Sequence, residues 1–328
     1  MPRIVYSRHY NIGFFGLERL HPFDSRKYGR VWHCLQRHFG ESLRPMWICP
    51  KRPVRRDELL SVHQSSYLDR LRQPKYVAEA LELPPVRYLP HWLLNRCVLR
   101  PMRWATMGTI RAAKECIQHG FAVNLGGGYH HAKPDGGEGF CIYSDIAMAV
   151  HSLRTDGLLA DDDRVAYVDL DAHQGNGVCH AFMDDNRFFI FDMYNSTIYP
   201  CYDTEAQDRI DCNVRLASAC REDEYLRKLE DRLPVFLDSI SQSQTVGLAI
   251  YNAGTDVYVD DPLGGLNISA DAILQRDLFV VRELRKRGIP TVMLLSGGYT
   301  RVSYQLVADS VIRLLELESS VKNGFLNG

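Results

Sequence analysis

The stretch 165–177, VAYVDLDAHQGNG, constrains this 328-residue chain more than any other. It opens as an apolar run rich in Val and Tyr, which suits a strand buried on both faces of a parallel sheet. It then carries Asp169, Asp171 and His173, spaced two apart, before Gly175 and Gly177. While the backbone stays extended, alternate side chains point to the same side. Two carboxylates and an imidazole therefore converge at the strand's carboxyl end, the edge at which open α/β sheets hold ligands. Two readings fit. One is a Zn²⁺ site, which in enzymes takes three nitrogen or oxygen ligands from the protein. The other is a salt-bridged strand end closed by a glycine turn.

From about residue 121 the chain settles into a rhythm of apolar strand, polar turn and amphipathic helix, with no internal repeat. Strands are expected at 2–7, 45–50, 121–125, 165–170, 188–193, 246–252 and 291–295, and helices at 141–154, 222–241, 269–287 and 301–318. Pro290 closes the helix before the last strand. Nearer the N-terminus, helical spacing covers 14–39, with a turn at His21-Pro22, and then 56–71 and 104–119. His63 sits on the apolar face of the second of these and reads as structural before it reads as a ligand. The segment 83–101, with Pro84, Pro85, Pro90 and Pro101, is the most loop-like part of the first half. Strands alternating with helices of this length imply an α/β fold, a mainly parallel sheet with helices on both faces. No composition shift divides the chain, so a single domain over 1–328 is expected, with a C-terminal tail of about ten residues.

Charge and cysteine usage narrow the function classes. Thirty-nine basic residues against forty acidic ones, a net charge of −1, argue against non-specific nucleic-acid binding driven by phosphate neutralisation. The basic run Lys51-Arg52-Pro53-Val54-Arg55-Arg56 reads as a solvated loop. Nine cysteines without a CxxC pair argue for reduced thiols, not a disulfide framework or a structural zinc module. The N-terminus lacks the apolar core of a secretion signal, and no run is long enough to span a membrane. A cytoplasmic protein is expected, nuclear as well if the source is eukaryotic. Its oligomeric state is open, and a monomer is compatible with everything above.

The strand ends carry the chemistry. Residues 121–125 run into GGGYHH, 165–170 into Asp171 and His173, 188–193 into Tyr194, Asn195 and Tyr199-Pro200, 246–252 into AGTD, and 291–295 into SGGY. The glycine run at 126–128 lacks the spacing and the Lys-Ser/Thr of a phosphate loop. His130 and His131 are consecutive, and side chains of consecutive residues diverge, so an acid–base pair is easier to build from them than a shared metal site. Asp169 suits one of them as a partner that fixes its tautomer and raises its basicity, and Asn176 suits the other.

The segments GGGYHHAKPDGGEGFC, VDLDAHQGNG, YNAGTD, DDPLGGLNIS and SGGY, in this order, resemble the zinc-dependent histone deacetylase family. VYSRHYN, HPFDSRKYG, VHQSSYL and VLRP extend the likeness, and MDD at 183–185, Tyr199-Pro200 and SGGY followed by VADS are similar to the class IV branch. The resemblance implies the arginase–deacetylase fold and removal of acyl groups from Nε-acyl-lysine of proteins or peptides, with a preference for long fatty-acyl chains. It implies that Asp171, His173 and Asp256 bind one catalytic Zn²⁺. In the same terms His131 is the general base, oriented by Asn176, and His130, paired with Asp169, helps protonate the leaving amine. Tyr299 donates to the developing oxyanion, while Gly139, Phe140 and Tyr199 line an acyl-lysine tunnel. A K⁺ site near the zinc would use the Asp169, Asp171 and His173 segment together with Asp192. Three departures stand out: Asn176 where class I members have Asp, Lys27 where many relatives have arginine near the inner end of the site, and Tyr199 in place of a tunnel Phe. The Lys27 departure means that an internal product pocket is not assumed.

Three other readings compete. A ureohydrolase shares the fold and the Asp-Ala-His phrase, but needs two metals and an Asp where this chain has Gly175. An acetylpolyamine amidohydrolase has the same site with a different entrance. A catalytically inactive homologue acting as a binding module would be expected to lack a ligand, the base or the tyrosine, and all are present.

Overall fold

The apolar runs pair side by side, and every pairing between them is parallel. The structure, a computed structural model, describes residues 1–13, 24, 26–242 and 244–324. Its strands are β1 (Arg3–Val5), β2 (Trp47–Ile48), β3 (Phe121–Asn124), β4 (Arg164–Asp169), β5 (Phe188–Asn195), β6 (Cys212–Leu216), β7 (Val246–Asn252) and β8 (Thr291–Leu294). They form one sheet in the order β2-β1-β3-β8-β7-β4-β5-β6. Residues of β3, β7 and β8 are buried at almost every position. A strand buried on successive residues is covered on both faces, which accounts for continuous apolar runs in place of alternation.

The cover is helical. The long helices are α1 (Lys27–Phe39), α6 (Arg100–His119), α7 (Asp145–Thr155), α10 (Glu222–Ser241), α11 (Ala270–Lys286) and α12 (Ser303–Gly324). Between them lie the short α2 (Arg56–Leu59), α3 (Ser65–Arg70), α4 (Pro74–Ala80), α5 (His91–Leu94), α8 (Asn176–Ala181) and α9 (Thr204–Asp208). α6 packs on α7, while α10, α11, α12 and α1 pack in succession. Of the expected helix over 14–39, residues 14–23 and 25 lie outside the described residues. α12 continues to Gly324, into the stretch expected to be a tail.

Four expectations change. The helix expected over 56–71 is two short ones, because the chain halts between them to bury His63. The Nε2 of His63 accepts from the Ser144 amide at 3.0 Å, and Nδ1 lies 3.3 Å from the Pro134 carbonyl. The proline-rich segment 83–101 is largely helical: α5 runs through a wider π turn, Asn95–Leu99, straight into α6. In that turn the Arg100 amide reaches back five residues to Asn95. The widened turn gives the Pro101 ring, which has no N–H to offer, the room a regular helix denies it. The expected helix over 141–154 begins only at Asp145, whose carboxylate serves the preceding loop. Finally, β6 lies outside the expected strands. It is a short edge strand with Cys212, Val214 and Leu216 buried and Arg215 exposed, an alternation too brief and too polar to stand out as an apolar run.

Candidate active site

The five strands whose ends carry the His, Asp and Tyr residues are scattered in sequence but consecutive in the sheet: β3, β8, β7, β4, β5. Their pairing aligns Asp169 with both Asn252 and Asp192, and Asn124 with Leu294. Loops leaving such aligned ends meet at one edge.

From the β4 end come Asp171 and His173, and from the β7 end comes Asp256. One ligand atom of each lies within 4.8 Å of the others. His173 Nδ1 is 3.1 Å from Asp171 Oδ1 and 2.9 Å from Asp256 Oδ2. Donors on a tetrahedral ion with bonds near 2.0 Å stand about 3.3 Å apart, and three protein ligands leave the fourth position open. The set fits a divalent metal ion. Its remaining oxygens are tied down: Asp171 Oδ2 accepts from Ser296 Oγ and the Gly297 amide, both at 2.9 Å, and Asp256 Oδ1 from the Ala172 amide at 2.9 Å. Burial opposes a charged His173, yet its hydrogen bonds to Asp171 and Asp256 outweigh burial and raise its pKa to about 10. Burial and the neighbouring Asp171 push Asp256 up to about 7. Without an ion, protons on His173 and Asp256 offset the carboxylate charge; a bound divalent cation would take the place of those protons.

Asp169 is not part of this cluster. Its Oδ2 accepts from His130 Nδ1 at 2.8 Å and from the Tyr167 hydroxyl at 2.6 Å, and its Oδ1 from the Asp171 amide and Asn252 Nδ2. Four hydrogen bonds occupy a carboxylate that the strand's alternation alone assigns to the metal. Asp192, beside it on β5, is buried with Oδ2 bonded to the Gly175 amide and Oδ1 without a partner.

The two histidines leave β3 through the glycine loop. Asp145 holds that loop, accepting from the Gly128 and Tyr129 amides at 2.9 Å each. His130 and His131 sit with ring centroids 4.0 Å apart. Burial would lower the His130 pKa, but the carboxylates of Asp169 and Asp171 prevail and hold it at about 9. Burial lowers His131 too, and the charges of His130 and His173 add to that, so it lies well below 6.5. One imidazole is charged at neutral pH and its neighbour is not. His131 Nδ1 is 2.8 Å from Asn176 Oδ1. Two glycines permit the arrangement. A Cβ on Gly177 would stand 2.3 Å from the His131 carbonyl carbon, so no other residue lets α8 seat Asn176 there. A Cβ on Gly139, whose φ is +53°, would stand 2.5 Å from the His131 ring.

Tyr299 follows β8, with its amide donating to Asp261 Oδ2 at 2.7 Å and its ring centroid 6.0 Å from that of His173. Burial and the carboxylates of Asp171 and Asp256 hold its phenol well above 10, so it is a hydrogen-bond donor at neutral pH. Buried Lys27 braces the same loop, its Nζ donating to the carbonyls of Ser296 at 2.5 Å and Gly297 at 2.8 Å. A cleft of about 220 Å³ leads to His131 and His173 between Gly139, Phe140, Tyr199 and Tyr299. Beyond it, a cavity of about 30 Å³ lies between Tyr28, Cys141 and the glycine loops.

Sequence reasoning missed several of these groups. Asn252, Asp261 and Ser296 lie within the YNAGTD, DDPLGG and SGGY motifs, so the signal was there. Leu263 at the cleft wall also lies in DDPLGG, and Tyr167 in the stretch 165–177, whereas Glu82, Ile198 and Asp145 lie outside every quoted segment and had no spacing to mark them.

Residues 21–315 match the family described as the histone deacetylase domain. Histone deacetylase 2 of Arabidopsis thaliana is 44% identical over 311 residues, covering 95% of this chain and 78% of that protein. An uncharacterised Picosynechococcus protein is 34% identical over 203 residues, 62% of this chain and 64% of its own length. Histone deacetylase 3 of rice is 27% identical, and this chain spans 58% of it. Among solved structures, the HDA15 HD domain superposes with a TM-score of 0.75 at 20% identity, over 97% of this chain and 92% of that one. An HDAC homologue complexed with SAHA gives 0.72 at 23% identity, over 97% of this chain and 84% of that one. These two establish the fold alone. With nine-tenths of its length matched by the family pattern and a relative 44% identical over 95% of it, the chain belongs to the histone deacetylase family.

Proposed function

We propose that the protein is a zinc-dependent hydrolase of Nε-acyl-lysine amides. The observation that carries this reading is the meeting of a buried Asp–His–Asp donor set with one neutral and one charged imidazole at the end of a single cleft. Asp171, His173 and Asp256 would hold the zinc ion, which would supply Lewis-acid polarisation of the amide carbonyl and acidification of the attacking water towards a pKa of about 7. His131 takes a proton from the attacking water through Nε2, since its Nδ1–H is committed to Asn176. Such general-base help is worth roughly 10²–10⁴-fold. His130, kept charged by Asp169, supplies a proton for the departing lysine amine. Tyr299 donates its hydroxyl to the carbonyl oxygen as charge builds there. Gly139, Phe140 and Tyr199 flank the aliphatic stem of the lysine.

Finer features belong to the same proposal. Membership of the class IV branch carries a preference for long fatty-acyl chains over acetyl. That preference requires the inner cavity to widen, since about 30 Å³ is room for ~2 waters. The partnerless Asp192 oxygen suits a K⁺ ion shared with the backbone of the Asp169–His173 segment; activity indifferent to replacing K⁺ with a bulky organic cation would remove that ion from the scheme. The name of the Arabidopsis relative puts histones among the substrates to test. Among the described residues no disulfide joins the cysteines, which suits a reducing compartment, cytoplasm or nucleus.

The test is an assay on matched acetyl-, octanoyl- and myristoyl-lysine peptides. Turnover, fastest on the longer chains, should vanish with chelator and return with zinc. Turnover that survives complete metal removal, or none on any chain, sinks the reading. Tyr299→Phe should lower kcat about 10²–10³-fold with zinc content unchanged, and near-normal kcat would end its oxyanion role.

A further inference from the structure

The hydrogen-bond chain behind His131 does not stop at Asn176. Asn176 is fully buried. Its Nδ2 lies 2.6 Å from Glu138 Oε1 and 3.0 Å from Asp203 Oδ2. An amide nitrogen has two hydrogens and nothing to accept with, while a carboxylate only accepts. Two carboxylates on one side of the amide therefore decide which end is nitrogen, and Oδ1 must face His131. An oxygen there can only accept, so the imidazole carries its hydrogen on Nδ1 and its lone pair on Nε2. With the amide turned over, Oδ1 would face two carboxylates and Nδ2 would impose the opposite tautomer.

Both carboxylates are themselves anchored. Lys133 Nζ sits between them, 3.1 Å from Glu138 and 3.2 Å from Asp203. His180 Nε2 is 3.0 Å from Asp203, whose Oδ1 also accepts from the Ala206 amide. Burial favours protonation of Asp203, but its bonds from Asn176, His180 and Lys133 hold it down at about 2.

We propose that Glu138 and Asp203 are positioning residues that act through Asn176, locking His131 in its Nδ1–H tautomer and supplying from one residue further out the negative charge an aspartate at 176 would carry. The proposal rests on the reading of His131 as the base. Its first test does not depend on turnover. In zinc-loaded protein labelled with ¹⁵N-histidine, the His131 signals, assigned against His131→Gln, should report the Nδ1–H form alone. Glu138→Ala with Asp203→Ala should give a mixture of tautomers and a kcat about 10- to 100-fold lower, with zinc content retained. Should that pair fail to fold, Glu138→Gln with Asp203→Asn keeps the shape, and its amides, able to present either end, should mix the tautomers as well.

The second test is a rescue. Asn176→Asp in the native background sets a third carboxylate against Glu138 and Asp203 and should lower kcat. In the double-alanine background the same change should restore kcat about tenfold or more, because an aspartate has no nitrogen end to misplace. A single tautomer surviving in both double variants, or an Asn176→Asp that lowers kcat in both backgrounds, overturns the proposal. Native protein inactive on every acyl peptide, but with the tautomers behaving as described, would defeat the deacylase reading and leave the positioning role standing.

Discussion

His63 has one nitrogen accepting from the Ser144 amide and the other directed at the Pro134 carbonyl, so a second proton would have to displace a backbone donor. Burial lowers its pKa to about 4, against about 6.5 in an unfolded chain. Between those values the unfolded chain takes up a proton that the folded one refuses. The resulting stability is fully present above pH ~6.5 and is lost as the pH falls towards 4, up to about 3 kcal/mol. Urea denaturation across that range should show the native protein weakening faster than His63→Gln; parallel slopes would contradict this account. The position of His63 on an apolar helical face made its structural role legible. Asp169 was legible only in part: alternation put it with the metal ligands, and only the pairing with His130, inferred from chemistry, moved it behind the site. Glu138 and Asp203 carry no such mark, since their meeting at Asn176 depends on how two loops fold over α8.

At the scale of elements, α11 does more than cover the sheet. Arg276, fully buried, donates from Nη1 to the carbonyls of Leu170 at 3.1 Å and Gly254 at 2.7 Å, and pairs with Asp277 at 2.8 Å. One guanidinium thus ties together the ends of β4 and β7, one residue before Asp171 and two before Asp256. Arg276→Met should cost about 3–5 kcal/mol in denaturant unfolding, as when one member of a buried pair is removed, and should weaken metal binding in a titration. A loss below ~1 kcal/mol would mean that the carbonyls and Asp277 are satisfied without it. The long strands were legible because burial on both faces writes itself as an unbroken apolar run. Edge strand β6, buried on one face and only five residues long, leaves no such trace. Segment 83–101 misled for a different reason: prolines mark turns except where they sit at a helix start or beside a widened turn, as Pro84, Pro90 and Pro101 do here.

For the molecule as a whole, alternating strands and helices sufficed to read a parallel α/β fold, and the chemistry at the strand ends sufficed to collect the site. The order of strands was not readable, because it depends on which edges meet and not on what any strand contains. That order places β8, the last strand in sequence, between β3 and β7. Until residues 291–294 exist, β3 and β7 each present an unpaired edge, and Tyr299 has no strand to follow. A chain stopped before Thr291 should remain two half-sheets, digested by dilute protease under conditions in which the whole chain resists; a resistant fragment would show that the halves stand without β8. At a synthesis rate of ~5–20 residues per second, β3 waits roughly ten to thirty seconds on the ribosome for its partner. The candidate site is therefore completed late and all at once, and for about half of its elongation a nascent chain of this protein carries an exposed sheet edge.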